Sequence, residues 1–77
     1  MESEILKLFA NRLKNLRKVG NYSQEALALK CNVDRTYIGR IEQMKRNPSL
    51  EILYKISKGL DMTLSQLLDL QEDKLIK

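Results

Sequence analysis

The chain has 77 residues and a net charge of +4, from 14 basic and 10 acidic side chains, which bounds it to one domain, residues 1–77, with a modest core. It holds no histidine and a single cysteine, Cys31. An internal disulfide and a His/Cys zinc centre are therefore excluded, no metal or other cofactor is expected, and the lone thiol fits a reducing compartment. No N-terminal signal pattern is visible and no apolar run approaches a membrane span, so a soluble cytoplasmic protein without a membrane partner is expected.

Apolar residues follow a helical period along nearly the whole chain. Ile5, Phe9, Leu13 and Leu16 share one face of a first helix, widened by Leu6 and Leu8. Gly20-Asn21 ends it, glycine being suited to the left-handed conformation of a C-terminal cap. Ser23 caps a short second helix to about Lys30, with Glu25 near the positive end of its dipole and Leu27, Ala28 and Cys31 on its apolar side. Cys31 reads as a small core residue rather than a redox sensor. Asn32 tolerates positive φ and suits a tight turn. Asp34 caps a third helix whose inward face is Tyr37, Ile38 and Ile41, with Arg35, Thr36, Arg40 and Gln43 outward. Lys45-Arg46-Asn47-Pro48 is a loop, and Pro48 requires the third helix to stop before it. Ser49 caps a fourth helix carrying Leu50, Leu53, Ile56 and Leu60. After a break at Asp61-Met62, Thr63 caps a fifth helix carrying Leu64, Leu67, Leu68 and Leu70; Glu72 to Lys77 are expected to fray. No strand pattern appears, and the expected fold is all-α with five helices.

Residues 24–43 form a unit with special requirements. A short helix, a three-residue turn and a second helix need a small residue at their crossing (Ala28), a positive-φ residue in the turn (Asn32), apolar anchors (Val33, Ile38, Ile41) and a polar outer face (Arg35, Thr36, Arg40). All are present at the proper spacing, which is the pattern of a helix-turn-helix. Basic residues also concentrate there: Arg35, Arg40, Lys45 and Arg46 stand against Glu42 alone within residues 35–46.

Residues 5–70 resemble the lambda-repressor and Cro type of helix-turn-helix domain. The resemblance is carried by Ser23-Gln24-Glu25-Ala26-Leu27-Ala28, Val33-Asp34-Arg35-Thr36-Tyr37-Ile38, Ile41-Glu42 and Asn47-Pro48-Ser49-Leu50. The run Asp34-Arg35-Thr36-Tyr37-Ile38, with Arg46-Asn47 after it, is most similar to the controller proteins of restriction–modification systems. One departure is Asn32, where most members of the wider family carry glycine. The resemblance implies a five-helix DNA-binding domain, a transcription factor able to activate as well as repress, a buried ion pair between Arg17 and Glu42, and a phosphate position surrounded by Gln43, Arg46, Asn47 and Ser49.

The third helix is the element to enter a DNA major groove, N-terminus first. Arg35 and Thr36 then face base edges; Arg40, one turn on, reads a base or clamps a phosphate. Ser23 and Gln24, at the N-terminus of the second helix, suit a phosphate. Tyr37 either packs inward or turns its hydroxyl to the DNA backbone. One recognition helix covers about half a site, so a homodimer is expected. The fifth helix has more leucines than a short terminal helix buries by itself, and Leu64, Leu67, Leu68 and Leu70, with the tail from about residue 63 and the end of the fourth helix, are the expected interface. Activation implies a contact to RNA polymerase, with Glu25 the candidate for meeting its sigma subunit. The same fold would also serve a phage-type repressor or an antitoxin, and a protein-interaction module is the reading from another class. No glycine-rich phosphate loop and no paired carboxylates suggest an enzyme or a small-molecule ligand.

Overall fold

A computed structural model describes residues 3–70. Among the described residues the fold is all-α, with five helices: α1 (Glu4–Val19), α2 (Gln24–Cys31), α3 (Arg35–Glu42), α4 (Leu50–Gly59) and α5 (Leu64–Leu67). Glu72 to Lys77, expected to fray, lie outside the described residues. No helix among them is long and apolar enough to cross a membrane, and no cluster of His, Cys, Asp or Glu among them could hold a metal ion.

Each helix begins on a side-chain cap. Ser23 Oγ accepts from the Ala26 N–H at 3.0 Å, Asp34 Oδ1 from Thr36 at 2.8 Å and Ser49 Oγ from Ile52 at 3.1 Å. Thr63 and Gln66 form a reciprocal capping box. Ser3, which the apolar pattern did not single out, caps α1. Such caps satisfy backbone donors that the helix cannot, each worth about 1 kcal/mol. For short helices such as α2 and α3 that is a large share of local stability.

The core is a single cluster: Phe9, Leu13, Leu27, Ala28, Cys31, Ile38, Ile41, Ile56 and Leu67. Cys31 is therefore a core residue, and burial raises its thiol pKa while nearby Lys30 opposes the shift. α2 packs on α3 and α4, α1 on α3, and α5 on α4. α2 and α4 meet closely at Gly59, where an added Cβ would lie 2.7 Å from the Cys31 Cα.

Two expectations are corrected. The left-handed residue after α1 is Asn21 (φ 61°), whereas Gly20 is right-handed at φ −80°. Gly20 is needed for space instead: a Cβ there would stand 2.5 Å from the Tyr22 ring. α3 stops before Pro48 as expected, ending at Glu42, where Met44 turns left-handed (φ 62°) and the chain closes through the Lys45 N–H on the Arg40 carbonyl at 2.8 Å. Leu67 is 0% exposed within the chain, so it is a core residue and has no surface to offer a second copy. The apolar stripes are also less fully covered than their spacing implied: Ile5 is 52% exposed and Leu50 70%.

Candidate nucleic-acid interface

The turn between α2 and α3 works as the sequence required. Asn32 takes φ 58°, ψ 45°, and its N–H closes on the Ala28 and Leu29 carbonyls. Val33 and Ile38 turn toward the core, so that α3 presents Arg35, Thr36 and Arg40 outward, all exposed. With Gln24 and Glu25 of α2, and Gly39 and Gln43 of α3, they line one open groove. The seven residues come from two helix N-termini and one helix face, an arrangement rich in donors.

Beneath the groove lies a polar anchor. Glu42, 4% exposed, accepts from Arg17 Nε at 2.7 Å on Oε2 and from Arg17 Nη2 at 3.0 Å on Oε1. Gln24 Nε2 also donates to Oε1, at 3.0 Å, and Arg17 Nη1 donates to the Tyr22 carbonyl at 3.1 Å. Desolvation pushes the Glu42 pKa up, but the hydrogen bonds from Arg17 and Gln24 and the Arg17 charge outweigh it, so the carboxyl sits below its ordinary value. The hydrogen bond to Glu42 is the main cause that raises the Arg17 pKa, against a smaller desolvation effect. The Arg17–Glu42 pair ties α1 to the end of α3, and Gln24 ties in the start of α2. Gly39 makes room for that link, since a Cβ there would lie 3.3 Å from Gln24 Oε1.

Gln24 therefore has a structural duty besides its expected place at a phosphate. The sequence did not signal this link, because it joins residues eighteen apart on two helices, past a glycine on α3. A second unforeseen contact lies at the groove's rim. Arg35 Nη1 donates to Glu25 Oε2 at 2.7 Å, with the two side chains 69% and 70% exposed. A signal for it existed: the turn brings the first turns of α2 and α3 side by side, and Glu25 and Arg35 there carry opposite charges.

Tyr37 packs inward, one of the two readings left open for it. Its ring is half-buried against the core, and the Arg46 guanidinium lies over it, 4.7 Å from the centroid. Hydrogen bonding to Arg46, then to Ser49, holds the phenol pKa below its ordinary value despite desolvation. Tyr37, Arg46 and Ser49 thus stand together at the start of α4, with Asn47 exposed between them. The Ser23 and Ser49 hydroxyls each accept a capping bond and keep their own O–H to donate. Leu64 and Leu70 are half-buried, and Leu68, 38% exposed, sits with Ile5, Leu6, Leu53 and Leu70 around an apolar cleft.

A helix-turn-helix family profile matches residues 13–67. The chain belongs to that family. Within it the chain groups with the control proteins of restriction–modification systems. The control protein C.MunI of Mycoplasma sp is 53% identical over 60 residues, spanning 77% of this chain and 81% of that protein. The crystal structure of the restriction-modification controller protein C.AhdI from Aeromonas hydrophila matches with a TM-score of 0.76 at 39% identity, over 80% of this chain and 94% of that one. A third control protein, C.Esp1396I, was crystallised as a tetramer in complex with its natural 35-base-pair operator. It superposes with a TM-score of 0.80 at 34% identity, over 99% of this chain and 100% of that one. The lambda-type fold expected from the motif is thus the fold observed.

Proposed function

We propose that this protein regulates transcription in a restriction–modification system by binding a double-stranded operator as a homodimer. The observation that carries the reading is the outer face of α3, where Arg35, Thr36 and Arg40 project into one groove from a helix anchored by a buried ion pair. The Arg35 guanidinium reads a guanine edge, which is worth about 1–3 kcal/mol of discrimination against other bases. Thr36 offers a hydroxyl or a methyl to the neighbouring base. Arg40, one turn further along, reads a base or clamps a phosphate. Ser23, Gln24, Tyr37, Gln43, Arg46, Asn47 and Ser49 hold the backbone and fix the helix's register.

Activation is the second part of the reading. Glu25 stands exposed on α2 next to the DNA face, and a basic patch on the RNA polymerase sigma subunit suits it. In transcription from the protein's own promoter at matched operator occupancy, Glu25→Ala should lower activation; full activation would remove this contact. For binding itself, gel-shift titration of the DNA upstream of the protein's own gene should give a complex that shuffled competitor DNA does not displace. Equal displacement by both DNAs would overturn the reading.

A further inference from the structure

We infer that Glu25 is a positioning residue for DNA sequence selectivity, acting through the guanidinium of Arg35. The inference rests on Arg35 reading a base. The 2.7 Å bond joins Arg35 Nη1 to Glu25 Oε2 at the rim of the groove, where the first turns of α2 and α3 meet. It occupies one end of a planar fork with five N–H donors. Nη2 and Nε remain to address a guanine, which takes two donors side by side. An unrestrained arginine side chain samples many rotamers and must lose that freedom on binding. A carboxylate fixed on a capped helix removes part of that cost beforehand, and only for the orientation it supports.

Charge alone would not place an acid here. Glu25 shares the groove with Gln24, Arg40 and Gln43, where phosphates are to approach, and an acid repels them. That repulsion acts on every DNA sequence alike. The ordering of Arg35 helps only the sequence that offers the matching base edge. Glu25 therefore weakens binding to every sequence while supporting the specific one, and the second effect is the one that raises discrimination. As an exposed ion pair the contact adds little to folding, so its effect is separable from stability.

The test measures, at one salt concentration, the ratio of dissociation constants for a shuffled duplex and for the operator duplex protected by the protein. A loss of folded protein lowers apparent affinity for both duplexes equally and cancels in that ratio. Glu25→Ala should lower the ratio by about five- to tenfold, with affinity for the shuffled duplex unchanged or higher. Glu25→Gln keeps an oxygen acceptor for Nη1 and should retain most of the ratio. In an Arg35→Ala background, adding Glu25→Ala should change the ratio no further. An unchanged ratio in Glu25→Ala, an equal loss in Glu25→Gln, or an undiminished effect in the Arg35→Ala background would each overturn the positioning role. If Arg35→Ala alone leaves the ratio intact, the base-reading role of Arg35 falls, and the inference with it.

Discussion

Glu42 is an acid at the base of a DNA-facing helix, and its burial makes sense only with Arg17 attached. Removing one member of such a pair strands the other charge in a poor solvent for it. Arg17→Ala should therefore cost about 3–5 kcal/mol of stability, read as a lowered urea midpoint. A loss under about 1 kcal/mol, the range of an exposed pair, would contradict the buried role. The pH dependence follows from the depressed Glu42 pKa. A carboxyl that binds its proton less readily when folded contributes stability that is complete above its unfolded pKa of about 4.3. That contribution is lost as pH falls through the lower folded value. Asp34, whose pKa is lowered by the Thr36 backbone N–H it caps, acts in the same sense. Urea midpoints should hold steady from pH 7 to 5 and fall below about pH 4, and a midpoint that rises on acidification would contradict the sign. The Arg17–Glu42 pair was legible only through family resemblance. Gln24's share in it was not legible at all, because the glycine that admits its side chain lies on another helix.

The caps of α2 to α5 were plain in the sequence because a cap is local chemistry: Ser, Asp or Thr stands just before the apolar period begins. C-termini were harder. Asn32 was legible because asparagine bears the left-handed conformation well. Met44, which ends α3 at φ 62°, was not, and at Asp61 (φ 56°) the break was read but not the left-handed turn; both turns are closed by local backbone bonds, from the Lys45 N–H to the Arg40 carbonyl and from the Met62 N–H to the Ser57 carbonyl. Gly20 misled because its role is to clear the Tyr22 ring rather than to turn the chain. The turn between α2 and α3 offers a direct test. Asn32→Gly should leave stability unchanged or slightly raised, while Asn32→Ala should cost about 1 kcal/mol, because only the second keeps a Cβ in the left-handed conformation while losing the polar group that compensates it. Thermal melts check this, and equal melting temperatures for the two variants would contradict it.

On the scale of the whole molecule, the chain exposes Ile5, Leu50 and Leu68 near the α1–α4–α5 end, more apolar surface than one copy covers. The leucine count of the fifth helix suggested a dimer surface, but counting could not separate Leu67, which faces inward, from Leu68, which faces out. The two should behave differently. Leu68→Asp should stay folded and sediment as a monomer at concentrations where the parent protein is a dimer, with weakened operator binding. Leu67→Asp should unfold the chain, since it buries a charge without a partner. A folded Leu67→Asp, or a dimeric Leu68→Asp, would contradict this assignment. A dimer of this kind presents two copies of α3 to the DNA, and that is the central claim. Footprinting on the DNA upstream of the protein's own gene, with wild type and Arg35→Ala side by side, tests it most directly. Wild type should protect paired half-sites about one helical turn apart or a multiple of it, and Arg35→Ala should lose that pattern while keeping salt-dependent binding to any duplex. An Arg35→Ala footprint identical to wild type would contradict the claim that α3 reads the operator through Arg35.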